Sequence, residues 1–188
     1  MAAERGWRGG VYLGLGANLG DPPAQLREAL RRLDACPGIA VERVSRAYRS
    51  APWGNPDQPP FLNAVAALRT TLAPEALLAQ LLEVERALGR ERGGARWGPR
   101  TIDLDLLLDG DRVVDLPGCQ VPHPRLARRA FVLVPLLELA PAAVVPGIGA
   151  ARALLERVDA GERAGVAPLA ASIDPRMAAQ PSSMLSAR

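Results

Sequence analysis

Lysine is missing from the 188-residue chain, so all 23 basic side chains are arginine. That absence excludes two common ways of gripping a nucleoside triphosphate. P-loop NTPases need a lysine in their glycine-rich loop, and protein kinases need one on a strand. Aromatic residues make up only 4% of the chain, so each Trp or Phe in a polar loop stands out. The two cysteines, Cys36 and Cys119, have neither metal-type spacing nor the pattern of a disulfide framework. No apolar run reaches the roughly 18 residues of a membrane span, and no basic-then-apolar leader precedes residue 11. A cytoplasmic protein with no membrane partner is the expectation. The formal charge is only +3, with a sequence pI near 9.5. The arginines are interspersed with acids and no familiar nucleic-acid motif appears, which argues against a nucleic-acid partner.

What is present follows a pattern of alternating element types. Residues 1–10 are polar and glycine-containing, and read as a flexible lead-in. Residues 11–15 read as a buried first strand. Gly14, Gly16 and Gly20 follow a G-x-G-x-x-x-G spacing, which is not the dinucleotide fingerprint; they fit a tight strand-to-helix turn close to a ligand. Asp21 and Pro22 are an N-cap and first helical residue, and Leu26, Ala29, Leu30 and Leu33 mark an apolar helix face. Residues 39–48 read as a second strand, residues 50–60 as a proline-rich functional loop, and residues 61–72 as a third strand. A second helix runs from Pro74 to a stop at Gly89. Residues 90–95 read as a mobile, charged lid. A fourth strand follows, then a turn at residues 109–111, a short extra strand, and one or two helices up to Leu139.

The resulting βαββαβ order predicts an α+β, ferredoxin-like core: an antiparallel sheet flanked by helices, with an added C-terminal helical segment. The domain is expected over residues 11–149, with residues 150–188 as a weakly structured or disordered tail. A length of 188 residues suits one such domain, and a monomer is expected.

The chemistry concentrates in residues 96–108, RWGPRTIDLDLLL. A strand over this alternation places Asp103 and Asp105 on one face, their Cα atoms roughly 6.5–7 Å apart. Ile102, Leu104 and Leu106 take the other face. Two carboxylates beside arginines suit Mg²⁺ and a polyphosphate, since Mg²⁺ is usually held by one or two carboxylates plus substrate oxygens. A D-x-D pair can equally be a solvated strand face, but such a face does not require W-G-P-R just before it.

This run resembles the motif of the 6-hydroxymethyl-7,8-dihydropterin pyrophosphokinase family. The resemblance extends over residues 11–146 and includes YRSAPWG at 48–54, QPPFLN at 58–63, VPH at 121–123 and RAF at 129–131. It implies a transferase of folate biosynthesis that moves the pyrophosphoryl group of ATP to the pterin hydroxymethyl oxygen and releases AMP. It also implies two Mg²⁺ ions on Asp103 and Asp105, with Arg90, Arg92 and Arg100 completing the catalytic set. On the ATP side it implies Arg90, Arg92, Trp97, Arg100, His123 and Arg129, with Glu85, Leu78 and Leu82 bordering the adenine. On the pterin side it implies Ser50, Ala51, Trp53, Asn63 and Asp103, and the pair Phe61 and Phe131 around the flat ring. Without the resemblance, His123 reads as an ordinary surface or capped residue and Phe131 as core packing.

The chain departs from the family's usual residues in several places. Ser50 stands where Thr is common, Trp53 where Leu is, Phe61 where Tyr is, and Pro124 where an aromatic often follows the histidine. Gly93 and Gly94 replace a basic lid residue, which implies a looser lid. None of these changes removes a metal ligand. A different class of function also fits a ferredoxin-like fold, namely an RNA-binding module that stacks bases on aromatics of an open sheet.

Overall fold

The first helix starts where local chemistry places it. The Asp21 carboxylate accepts from the Ala24 N–H at 3.0 Å, and Pro22 occupies the first turn. The computed structural model describes residues 8–90, 98–170 and 172–176. In chain order these form β1 (Arg8–Ala17), α1 (Pro22–Asp34), β2 (Ile39–Val44), β3 (Tyr48–Ser50), β4 (Phe61–Thr70), α2 (Pro74–Ala87) and β5 (Asp103–Asp109). There follow β6 (Val114–Leu116), β7 (Cys119–Val121), a 3₁₀ turn (Leu126–Arg128), α3 (Ala130–Leu139), β8 (Val144–Val145) and β9 (Gly149–Ala150). The described chain closes with α4 (Ala151–Arg157), α5 (Ala160–Ala164) and β10 (Ala167–Pro168). No helix among the described residues is long and apolar enough to cross a membrane.

The main sheet runs β10-β3-β4-β1-β5, with β2 also paired to β4, and every pair in it is antiparallel. This is the strand order of the expected βαββαβ core. Strand alternation sorts side chains into two layers. Leu13 and Leu15 of β1, Ala64 and Leu68 of β4, and Leu104 and Leu106 of β5 pack beneath α1 and α2. Val65 and Ala67 of β4 and Leu107 of β5 pack on the other side, under Leu133 and Leu136 of α3 and Leu154 of α4. Leu26, Leu30, Leu77 and Leu133 are all fully buried, and each contributes about 2 kcal/mol relative to an exposed position.

Three expectations change. The lead-in is shorter than expected, because β1 already begins at Arg8 and pairs with Thr70. The single strand expected over residues 39–48 is broken into β2 and β3. At the break Ser45 takes over the pairing: its N–H donates to the Val65 carbonyl at 2.9 Å, and its hydroxyl accepts from the Val65 N–H at 3.0 Å. The tail expected from residue 150 is built into the fold wherever it is described. Leu154 is 4% exposed and Ile173 is 1% exposed. In addition, β10 pairs with β3, and Arg176 donates to the carbonyls of Val41 and Glu42 at 3.2 and 3.0 Å. Through α4 and its C-cap the burial follows a helical period, with Ala151, Leu154, Leu155 and Val158 on the core side; beyond it the buried apolar residues are isolated.

Candidate active site

The second layer does not cover the whole sheet. Beyond Leu107, the face under α3 carries Asp103 and Asp105, which lie in register opposite Gly16 and Gly14 of β1. Asn63 of β4 lies opposite Gly16 on its other side. Both glycines sit inside the strand and form the floor of a cavity, so their part is not the turn expected from the sequence. A Cβ on Gly16 would come 3.3 Å from the Asn63 Oδ1, and one on Gly14 would come 3.3 Å from Leu107. Of Gly14, Gly16 and Gly20, only Gly20, at φ +63°, has the left-handed backbone of a turn.

Two cavities meet at this place. The first, about 700 Å³, is an apolar slot lined by Ser50, Ala51, Trp53, Phe61, Asn63 and Phe131 above the glycine floor. The second, about 740 Å³, is polar and lined by Leu78, Leu82, Glu85, Arg90, His123 and Arg125. Arg100, Asp103, Asp105 and Arg129 line both, so these four residues form a common wall. The polar cavity collects four arginines against three carboxylates, which suits an anionic ligand.

The wall is held by ion pairs. Asp103 accepts from Arg90 at 2.5 Å through one oxygen and from Arg100 through the other. Asp105 faces Arg129 at 3.7 Å and the His123 Nε2 at 3.8 Å. Burial on the cavity floor and the neighbouring Asp103 charge push the Asp105 carboxyl up to about 6, against the pull of Arg129 and Arg100. His123 is pushed down to about 4 by burial and by Arg129 and Arg125, so it is neutral at pH 7. Its Nδ1 accepts from the Arg125 N–H at 3.2 Å, which leaves Nε2 to carry the proton toward the cavity. The Arg129 guanidinium lies 5.7 Å from the Trp53 ring centre and 5.4 Å from that of Phe131. Its buried Nε has no acceptor among the described residues, an open donor at the wall.

Glu85, expected to border the adenine, also has a bracing part. It lines the polar cavity, yet it is 1% exposed and its carboxylate is engaged within the protein. It accepts from the Leu104 N–H at 2.8 Å and from Arg90, bracing the start of β5 and aiming Arg90 at Asp103. Leu78 and Leu82 are half-buried on the same wall. Asn63 spends one N–H on the Ser50 hydroxyl at 2.9 Å, so the Ser50 side chain fixes the orientation of the Asn63 amide. Arg92, Trp97 and the lid expected over residues 90–95, apart from Arg90 itself, lie outside the described residues.

Sequence reasoning missed Asn18. Its side chain donates to the Gln58 side chain at 3.1 Å and to the Pro59 carbonyl at 3.0 Å, and accepts from the Arg100 N–H at 2.7 Å. One amide thus ties the end of β1 to the proline-rich loop and to the loop before β5. The available signal was a polar residue directly after a buried strand, 4% exposed in the fold.

Comparison with known proteins agrees with this architecture. The model of the family described as 7,8-dihydro-6-hydroxymethylpterin-pyrophosphokinase (HPPK) matches residues 12–141. The chain belongs to that family. A 2-amino-4-hydroxy-6-hydroxymethyldihydropteridine pyrophosphokinase of Pseudomonas aeruginosa is 50% identical over 131 residues, covering 70% of this chain and 80% of the relative. One from Synechocystis is 42% identical over 176 residues, 92% of this chain and 89% of the relative, so that match runs well past the end of the family model. Among solved structures, a Plasmodium falciparum HPPK-DHPS shares the fold at a TM-score of 0.63 and 14% identity. The match covers 83% of this chain but 45% of that one, so the chain spans less than half of that protein.

Proposed function

We propose that this chain transfers the pyrophosphoryl group of ATP to the hydroxymethyl oxygen of 6-hydroxymethyl-7,8-dihydropterin, releasing AMP, as a pyrophosphokinase of folate biosynthesis. The observation that carries this reading is the common wall. An apolar slot lined by aromatic residues adjoins an arginine-rich cavity, and the two share Asp103, Asp105, Arg100 and Arg129.

The dihydropterin ring would lie in the slot between Phe61 and Phe131, its polar edge toward Asn63. Its hydroxymethyl group would then point at the wall. ATP would occupy the polar cavity, with the base against Leu78 and Leu82 and the phosphates toward the arginines and the neutral His123. The pterin hydroxyl oxygen attacks the β-phosphorus and its proton passes to solvent, while the bond from that phosphorus to the α,β-bridging oxygen breaks and AMP leaves with the electron pair. Catalysis of this kind rests on positioning and charge stabilisation. Arg90, Arg92, Arg100 and Arg129 would supply fixed positive charge along the transferred group, and Trp97 would close over it.

Asp103 and Asp105 are suited to Mg²⁺. The described residues contain no group of three or more metal-binding side chains, and two carboxylates that rely on substrate oxygens for the remaining ligands match this ion. The two carboxylates would hold two Mg²⁺ ions, whose positive charge would offset the charge that develops on the ATP oxygens. The arginines now paired with Asp103 would be released to the phosphates.

The alternative of an RNA-binding module is disfavoured by packing. Helices cover both sheet faces away from the site, so the described residues offer no open aromatic platform. The deciding experiment is AMP release from ATP and 6-hydroxymethyl-7,8-dihydropterin, with Mg²⁺ and with EDTA. Pterin-dependent AMP that disappears in EDTA and in a folded Asp103→Ala variant is expected. Formation of ADP, or near-normal rates in that variant, would sink the proposal.

A further inference from the structure

α3 begins between two site residues and has no cap of its own. Its N-cap position is Arg129, which makes no side-chain capping bond, and its first turn contains no acidic residue. The N–H of Ala130, which is fully buried, must still find an acceptor. It finds one far away in the chain: the Glu162 carboxylate of α5 accepts it at 3.1 Å. Glu162 lies beyond the stretch that the family model matches, in the segment that looked weakly structured from sequence.

We infer that Glu162 is a positioning residue for the transfer reaction, holding the Arg129–Ala130–Phe131 turn so that one side chain meets the polar cavity and the other the slot. The inference rests on reading the slot as the pterin seat. Glu162 is itself held in place, because the Asp159 carboxylate accepts from the N–H groups of Gly161 and Glu162 at 2.8 and 3.0 Å. The chain on either side is anchored as well. Before it, α4 buries Leu154 under α3. After it, β10 pairs Ala167 with Arg49 and Pro168 with Tyr48, and the Leu169 N–H donates to the Ala47 carbonyl at 2.8 Å. Residues 158–169 therefore reach both walls of the slot, α3 with Phe131 on one side and β3 with Ser50 on the other. A negative group at a helix N-terminus also complements the helix dipole, so Glu162 both bonds and attracts the end it caps.

The test uses the full chain with Glu162→Ala, Glu162→Gln and Glu162→Asp, assayed for pterin-dependent AMP release at 25 °C beside a thermal melt. Glu162→Ala is expected to raise KM for the dihydropterin about fivefold and to lower kcat to a similar extent, since a lost cap and a shifted reacting group both act here. Glu162→Gln keeps an oxygen acceptor at the same reach and should stay within about twofold of the parent. Glu162→Asp keeps the charge but is one methylene shorter, and should resemble the alanine variant. A purely structural role would lower the melting temperature and leave KM and kcat unchanged in the folded enzyme, and that result overturns the inference. If Glu162→Ala does not fold, the Asp and Gln variants decide, and equal kinetics for the two overturn it. A parent enzyme without pterin-dependent AMP release would overturn the reading of the slot, and this inference with it. A competent parent with unaffected variants overturns the inference alone.

Discussion

Asp105 should make the folded chain less stable while it is ionised, and replacing it should reveal by how much. Its carboxyl is raised from 3.8 to about 6 by burial and by Asp103. The folded protein therefore holds this proton more tightly than the unfolded chain does. The sign follows from linkage: the contribution of this carboxyl to stability is fully present below about pH 4, is lost as pH rises between about 4 and 6, and stays lost at neutral pH. At about 1.36 kcal/mol per pH unit the ceiling on this cost is roughly 3 kcal/mol. The side chain is still 34% exposed to the cavity, so solvent screening reduces the expected cost to about 1–2 kcal/mol. Asp105→Asn should thus be more stable than the parent by that amount at about pH 7.5, or about 2–4 °C in Tm per kcal/mol. The assay is urea denaturation in EDTA at about pH 7.5 and again at about pH 4.5, where the gap should shrink because the parent carboxyl is then largely neutral. The same variant should lose AMP release. An asparagine variant no more stable than the parent at neutral pH, or a gap that ignores pH, would refute the argument.

Two further outcomes follow from packing. Gly16→Ala adds a methyl 3.3 Å from the Asn63 Oδ1 on the slot floor, and should raise KM for the dihydropterin about tenfold while KM for ATP moves less than about twofold. Steady-state kinetics with each substrate varied in turn will check this. Leu133→Ala, at a position of zero exposure under the sheet, should cost about 2–5 kcal/mol in urea denaturation. A loss well under 1 kcal/mol would mean that α3 is not part of the same cooperative core.

What could be read from the sequence is what local chemistry decides. Asp21 and Pro22 start α1 without tertiary help, and the alternation through β5 puts Asp103 and Asp105 on one face whatever lies beside it. What could not be read depends on partners distant in sequence. The break at Ser45 is set by Val65, and the inward turn of Glu85 is set by the Leu104 N–H and Arg90. Gly14 and Gly16 suggested a turn because glycine signals backbone freedom, whereas here the useful property is the missing side chain. Past α4 the C-terminal segment looked structureless because its contacts are the Glu162 carboxylate, the Arg176 guanidinium, one two-residue strand and a few isolated apolar residues, none of which makes a period.

The tether at Asn18 bears on how this enzyme can change over time. The proline-rich loop leaves β3 at Ser50, held by Asn63, and returns through Gln58 and Pro59, held by Asn18. Residues 51–57 are therefore a cassette between two fixed posts. Substitutions inside it, Trp53 among them, can retune the mouth of the slot without moving the strands that carry the carboxylates. Evolution or an engineer could exchange this cassette as a unit, and selectivity for the flat ring would shift while the transfer machinery stayed in register.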